Sequence, residues 1–203
     1  QPGPLAYKID TLVVNRRIEE ASRPIPKIIR LGSLREVAEE VGAGNGNTTW
    51  VKKALRQNAF AGITAKLTYR ASDKSVRTLE ADFTRYSVVF TGEELPDGRK
   101  ADAVYLVLNE IFMQVINGAQ TRPLDYDYLR DLAPASQRLY AILSFQMYAT
   151  LKNGRPRAKL SYAEFCIHAP LTRHIEWLRV RTQMNKLHAP HKKSGYLASI
   201  EFE

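Results

Sequence analysis

The only cysteine and three of the four histidines fall into two short groups, Cys166-Ile167-His168 and His188-Ala189-Pro190-His191. Four nitrogen and sulfur donors are the raw material of a tetrahedral zinc site. The single residue between Cys166 and His168 is tighter than common zinc spacing, and a cysteine within a helix serves as a small core residue. No metal is therefore expected, and His188 and His191 are expected beside phosphate. Asp125 and Asp127 offer a carboxylate pair, but acids at a helix start stabilise its dipole. Tyr196 lacks the Arg/His constellation of a recombinase. There is no Gly-Lys-Ser/Thr phosphate loop and no His-apolar-His nicking pair. The expectation is a protein without enzymatic activity and without a cofactor.

Charge is the stronger signal. Between Lys152 and Lys193 stand ten Lys/Arg against Glu164 and Glu176, a net +8 in a chain whose total is +9. Such a block repels itself unless a polyanion neutralises it, and nucleic acid is the most general candidate. Leu160, Phe165, Ile167, Ile175, Trp177, Leu178, Val180, Met184 and Leu187 lie among the charges, so the block is a packed surface and not a solvated arm. From Thr172 the spacing predicts a helix to about His188 with Trp177, Val180, Met184 and Leu187 as its buried seam, broadened by Ile175 and Leu178. Arg173, Glu176, Arg179, Gln183 and Lys186 then share the outer face. Arg and Gln are side chains that make bidentate contacts to guanine and adenine edges in the major groove. Arg155, Arg157, Lys192 and Lys193 are expected on phosphate. A solvated helix face is the bland alternative.

The elements that must position these residues read as helix, turn, helix and hairpin, twice. Ser33-Leu34-Arg35-Glu36 is a capping box, and Leu34, Val37, Ala38 and Val41 form one stripe that Gly42 ends. A second helix runs from Thr48 to about Ala59. Alternation over Ile63–Arg70 and Val76–Phe83 predicts paired strands about a polar turn. Asn47, Thr49, Lys52, Lys53 and Arg56 on that helix, with Lys66 and Arg70 on the hairpin, are further DNA-contact candidates. Trp50, Val51, Ala54 and Leu55 are assigned to the core. The window from Ala43 to Arg77 holds seven basic residues and one acid, Asp73. Later elements are an apolar run at 103–108, helices at 110–117, 125–132 and 136–152, and a short strand at 157–160. Ser161-Tyr162-Ala163-Glu164 is a second capping box, and a strand at 196–202 follows a basic turn at Lys192-Lys193-Ser194-Gly195. Only the segment before Ser33 is weakly patterned.

Arg138-Leu139-Tyr140-Ala141-Ile142-Leu143-Ser144, Lys152-Asn153-Gly154-Arg155 and Leu160-Ser161-Tyr162-Ala163-Glu164-Phe165 resemble bacterial plasmid replication initiators with two winged helices. Val104 to Phe112 is similar to the strand and helix that open their second domain. The resemblance is carried by residues 100–190, and by order of elements alone over 33–90. It implies binding to repeated origin sequences, base contacts from the last helix of the second domain, and DNA contact or dimerisation by the first.

The expectation is thus an α+β chain of two tandem winged-helix domains, 1–96 and 97–203, divided in the polar loop around Pro96-Asp97-Gly98. Its expected partner is double-stranded DNA, with a homodimer and host replication proteins as further partners. The rivals are a winged-helix transcriptional regulator and an assembly module whose basic face meets an acidic protein. One cysteine and no long apolar run point to a cytoplasmic protein without membrane or cofactor. Opening at Gln1 and not Met fits a piece of a longer chain.

Overall fold

Pro4 opens the first helix, α1 (Pro4–Leu12), at a position where a missing N–H breaks no hydrogen bond. The structure, a computed structural model, describes residues 3–44, 46–70, 73–118, 124–154 and 157–203. Its contacts separate two units, Gln1–Tyr126 and Asp127–Glu203. The division expected near Pro96 does not coincide with this one. The reason lies in the sheet of the first unit: β1 (Ile28–Gly32) and β4 (Tyr86–Val89) both pair antiparallel with β5 (Val104–Leu108), which is central. Residues beyond the 93–100 loop therefore complete the core of what precedes it. Val104, Tyr105, Leu106 and Leu108 are all buried, which explains the unbroken apolar run of this strand.

Between β1 and β4 stand α2 (Leu34–Glu40), α3 (Thr48–Ala59) and the hairpin β2 (Gly62–Arg70) and β3 (Val76–Thr84). The Ser33 capping box has both arms: Glu36 N donates to Ser33 Oγ at 3.1 Å, and Ser33 N to Glu36 Oε2 at 2.5 Å. Gly42 has a φ of +68°, the left-handed conformation that lets the chain turn from α2. The hairpin keeps unbroken register from Gly62 opposite Thr84 to Arg70 opposite Val76. Beneath these elements Ile9, Leu12 and Val13 pack with Val51, Leu55 and Leu106. Asn58, buried on α3, donates to the Ala6 carbonyl at 2.9 Å. α4 (Glu110–Gly118) follows β5.

α5 (Tyr126–Arg130) leads into the second unit, which contains α6 (Pro134–Lys152), α7 (Tyr162–His168) and α8 (Trp177–Lys193). Leu139, Leu143, Phe165, Val180, Met184 and Leu187 form its core. The strands expected at 157–160 and 196–202 carry no ladder among the described residues. Their alternation has another cause: Ala158, Leu160, Tyr196, Leu197 and Phe202 lean on the helical core, and Lys159 Nζ lies 2.5 Å from Glu203 Oε2. An extended segment lying on a core shows the same period of two as a paired strand. Leu151, in the last turn of α6, is 59% exposed. The class is α+β. Among the described residues no helix is long and apolar enough to cross a membrane.

Candidate nucleic-acid interface

In α3 the buried positions are Val51, Ala54, Leu55 and Asn58, spaced i, i+3, i+4 and i+7. That phase leaves Trp50 one step outside the seam, and it is 60% exposed where the sequence placed it in the core. Lys53 Nζ sits 5.3 Å from the centre of its ring. Lys52 Nζ and Arg56 Cζ lie over Phe90, at 4.6 and 5.4 Å from its centre. These cation–π contacts order the three side chains without neutralising them. Thr49 is exposed, and Asn47 caps α3 while its amide donates back to the Ala43 carbonyl. The elements thus gather Thr49, Lys52, Lys53 and Arg56 on one helix with an exposed indole that the sequence reading had buried. A tryptophan preceding the stripe by one residue was the available signal.

The hairpin is different. Lys66 pairs with Glu80 at 3.1 Å, directly across the ladder. Arg77 pairs with Asp73 at 2.9 Å. Hydrogen bonds from Ser75, then the Arg77 guanidinium, pull the Asp73 carboxyl down to about 2. A charge window that stops at Arg77 leaves out Glu80 and Asp82 on the returning strand, so the positive excess of the hairpin is largely compensated. The side chain of Arg70 lies outside the described residues, as does Arg155.

α8 begins at Trp177 with Glu176 as its N-cap, later than the expected Thr172. Its buried face is Val180, Met184, Leu187, His188 and His191. Ile175 and Leu178, assigned to the seam, are 99% and 73% exposed, and Trp177, half out, packs its edge on Phe202 with ring centres 5.6 Å apart. The helix runs through Pro190 to Lys193 because His191, fully buried, holds the last turn against the core. Lys192 and Lys193 are consequently exposed side chains of that last turn, where cations complement the helix dipole, and not members of a wing. Gln183 is not free to read bases: Tyr162 Oη donates to its Oε1 at 2.9 Å, and its Nε2 donates to the Thr172 carbonyl at 3.1 Å. Arg179 is exposed and pairs with Glu176 at 2.6 Å. Arg157, Arg173 and Lys186 are exposed.

Including the two histidines in the seam rotates the outer face. It centres on Leu178, Thr182, Asn185 and Ala189, with Arg179 and Lys186 on one flank and Arg181 and Lys192 on the other. Arg181, Thr182 and Asn185 were missed in the sequence because Trp177, Ile175 and Leu178 look more apolar than histidine. Within α8 there are five cations, Arg179, Arg181, Lys186, Lys192 and Lys193, and no acid.

The histidines are interior groups, contrary to the expected place beside phosphate. Burial above all, with His191 and Lys192 nearby, pushes His188 down to about 4. Burial also lowers His191, whose Nδ1 is 2.6 Å from Tyr128 Oη and whose ring stacks on Tyr140. Cys166 is half-buried and His168 exposed on α7. Among the described residues no three His, Cys, Asp or Glu gather as a metal-ligand set. Asp127, in the first turn of α5, lies 3.7 Å from Arg130. No family model, curated protein or solved structure matches the chain.

Proposed function

We propose that this chain is a non-enzymatic, sequence-specific double-stranded DNA-binding protein of two winged-helix domains, acting as a plasmid-type replication initiator on repeated origin sequences. The observation that carries the reading is α8, an exposed helix face with five cations and no acid, seated on a packed core. A single-sign helix of this kind fits the major groove, with cations on phosphate and central side chains toward bases. In the first unit the order α2, α3, hairpin is that of a winged helix, and α3 supplies Thr49, Lys53 and Arg56. The initiator assignment, as against a transcriptional regulator of the same fold, rests on the resemblance at Arg138–Ser144, Lys152–Arg155 and Leu160–Phe165. It carries with it host replication proteins as partners.

Binding to a duplex measured against salt tests the DNA reading. If the five α8 cations neutralise phosphates, the log–log slope is about −4.5. A flat response sinks the reading. Repeats of roughly 20 base pairs beside the gene, the span of two adjacent major-groove readers, separate initiator from regulator.

One observation favours a second role for the first unit. Trp50 and Phe60, at the two ends of α3, are 60% and 83% exposed, and exposed large apolar side chains on one element are a feature of association surfaces. A homodimer through α3 is the corresponding arrangement, read by sedimentation across a concentration series.

A further inference from the structure

The outer face of α8 has a layered composition. Its centre line, Leu178, Thr182 and Asn185, recurs at i, i+4 and i+7 and is uncharged, while cations occupy both flanks. All three are exposed, and Leu178 is 73% so. A helix seated in a groove turns its centre toward the base edges and its flanks toward the two phosphate strands. Leu178 to Asn185 spans about 10 Å of helix, the rise of about three base pairs. The Thr182 hydroxyl donates to the Leu178 carbonyl at 2.8 Å, so its proton is engaged within the helix. That leaves one amide and, beside the small methyl of Ala189 farther along the line, Leu178 as its one large exposed alkyl group. Asparagine is the short side chain that pairs with adenine N6 and N7 together, and an alkyl group meets the C5-methyl of thymine. Gln183, the other amide of α8, is held by Tyr162 and Thr172. The cations, being indifferent to sequence when on phosphate, do not supply this selectivity.

We infer that Asn185 and Leu178 are specificity-determining residues that read adenine and the thymine methyl of adjoining A·T pairs in duplex DNA. The inference rests on the DNA-binding reading proposed above and goes further by naming the bases and the atoms.

The full chain is mixed with duplexes carrying about 20 randomised base pairs, room for two half-sites, and the retained fraction is sequenced. The expected result is an enriched sequence with A·T pairs at its core. Replacing its thymines by deoxyuridine, which removes only the methyl, weakens binding by the wild-type protein several-fold, and Leu178→Ala abolishes that difference. Asn185→Ala loses roughly tenfold or more of the preference for the adenine, and Asn185→Gln, which keeps the amide, retains part of it. An enriched sequence of G·C pairs alone, or an adenine preference that survives Asn185→Ala, overturns the inference and leaves DNA binding standing. Failure to retain any duplex, with no dependence on salt, overturns both readings and favours an acidic protein as the partner of the basic face.

Discussion

Tyr162 Oη donates to Gln183 Oε1 at 2.9 Å and ties the first turn of α7 to the middle of α8. The same phenol accepts from His174 N at 2.9 Å, so one hydroxyl fixes both α8 and the irregular segment before it. Gln183→Ala and Tyr162→Phe are therefore expected to lower stability by about 1–2 kcal/mol, the range for a partly buried hydrogen bond. Urea denaturation reads this. Sequence preference, measured on the same selected duplex, should not move with either variant. A relaxed preference in Gln183→Ala alone would return that amide to the groove.

The hairpin and α8 differ in how their cations are paired. Lys66 lies against Glu80 across the ladder, whereas Arg181, Lys186, Lys192 and Lys193 stand exposed on a helix that contains no acid. Arg181→Ala or Lys186→Ala should each reduce the salt slope of duplex binding by about 0.9, one released counterion per contact. Lys66→Ala should change the slope by much less. Glu80→Gln, which frees Lys66, should steepen it, and fluorescence anisotropy titrations at several salt concentrations distinguish the three. An equal loss for Lys66→Ala and Lys186→Ala would make the hairpin a full contact element.

Much of this architecture was legible where it depends on near neighbours. Leu34, Val37, Ala38 and Val41 with Gly42 declare α2, and the alternation from Ile63 declares β2. What was not legible depends on partners distant in the chain. β5 is recognisable as a buried strand, but its neighbours β1 and β4 come from opposite sides of a hairpin and two helices, which hid the division at Tyr126. α1 carries Ala6, Ile9 and Leu12 at helical spacing, yet the stripe is short and flanked by polar residues. His188 and His191 enter the core only because Tyr128 and Phe202 receive them. That displaced the phase of α8, moved its exposed face from Gln183 to Asn185, and took Lys192 and Lys193 out of the expected wing. The charge of the hairpin was misjudged for the same reason: Glu80 opposes Lys66 through register, not through sequence proximity.

Acid should loosen the second unit. His188 binds its proton near pH 4 in the folded chain and near its ordinary value of 6.5 when unfolded, because burial disfavours the imidazolium. Between those values the unfolded state holds more protons, so stability rises with pH across this window. It is complete above about pH 6.5 and falls progressively toward pH 4, by roughly 1–2 kcal/mol. His191, lowered in the same direction, adds to the slope. Urea midpoints followed by Trp177 fluorescence in a Trp50→Phe background should show the decline, and His188→Gln should flatten it. An unchanged slope in His188→Gln would assign the decline to other groups.

The two capping boxes make unequal contributions. Around Ser33 both arms are closed, and the hydrogen bond from the Ser33 backbone holds the Glu36 carboxyl below its ordinary range. At Ser161 the side chain accepts from Glu164 N at 3.5 Å, the outer limit of a hydrogen bond, and among the described residues the return arm is not formed. Ser33→Ala leaves the Glu36 N–H at the start of α2 without its side-chain partner and should cost about 1 kcal/mol, whereas Ser161→Ala should cost only a few tenths. The two tryptophans separate the effects, since Trp50 belongs to the first unit and Trp177 to the second. Urea melts of single-tryptophan variants should show the Ser33→Ala loss at Trp50 and almost none for Ser161→Ala at Trp177. Because α2 supports α3, Ser33→Ala should also weaken whatever contact Lys53 and Arg56 make, while the duplex selectivity proposed for α8 should stay as it is. Equal losses from the two serines would mean that the Ser161 box closes in solution.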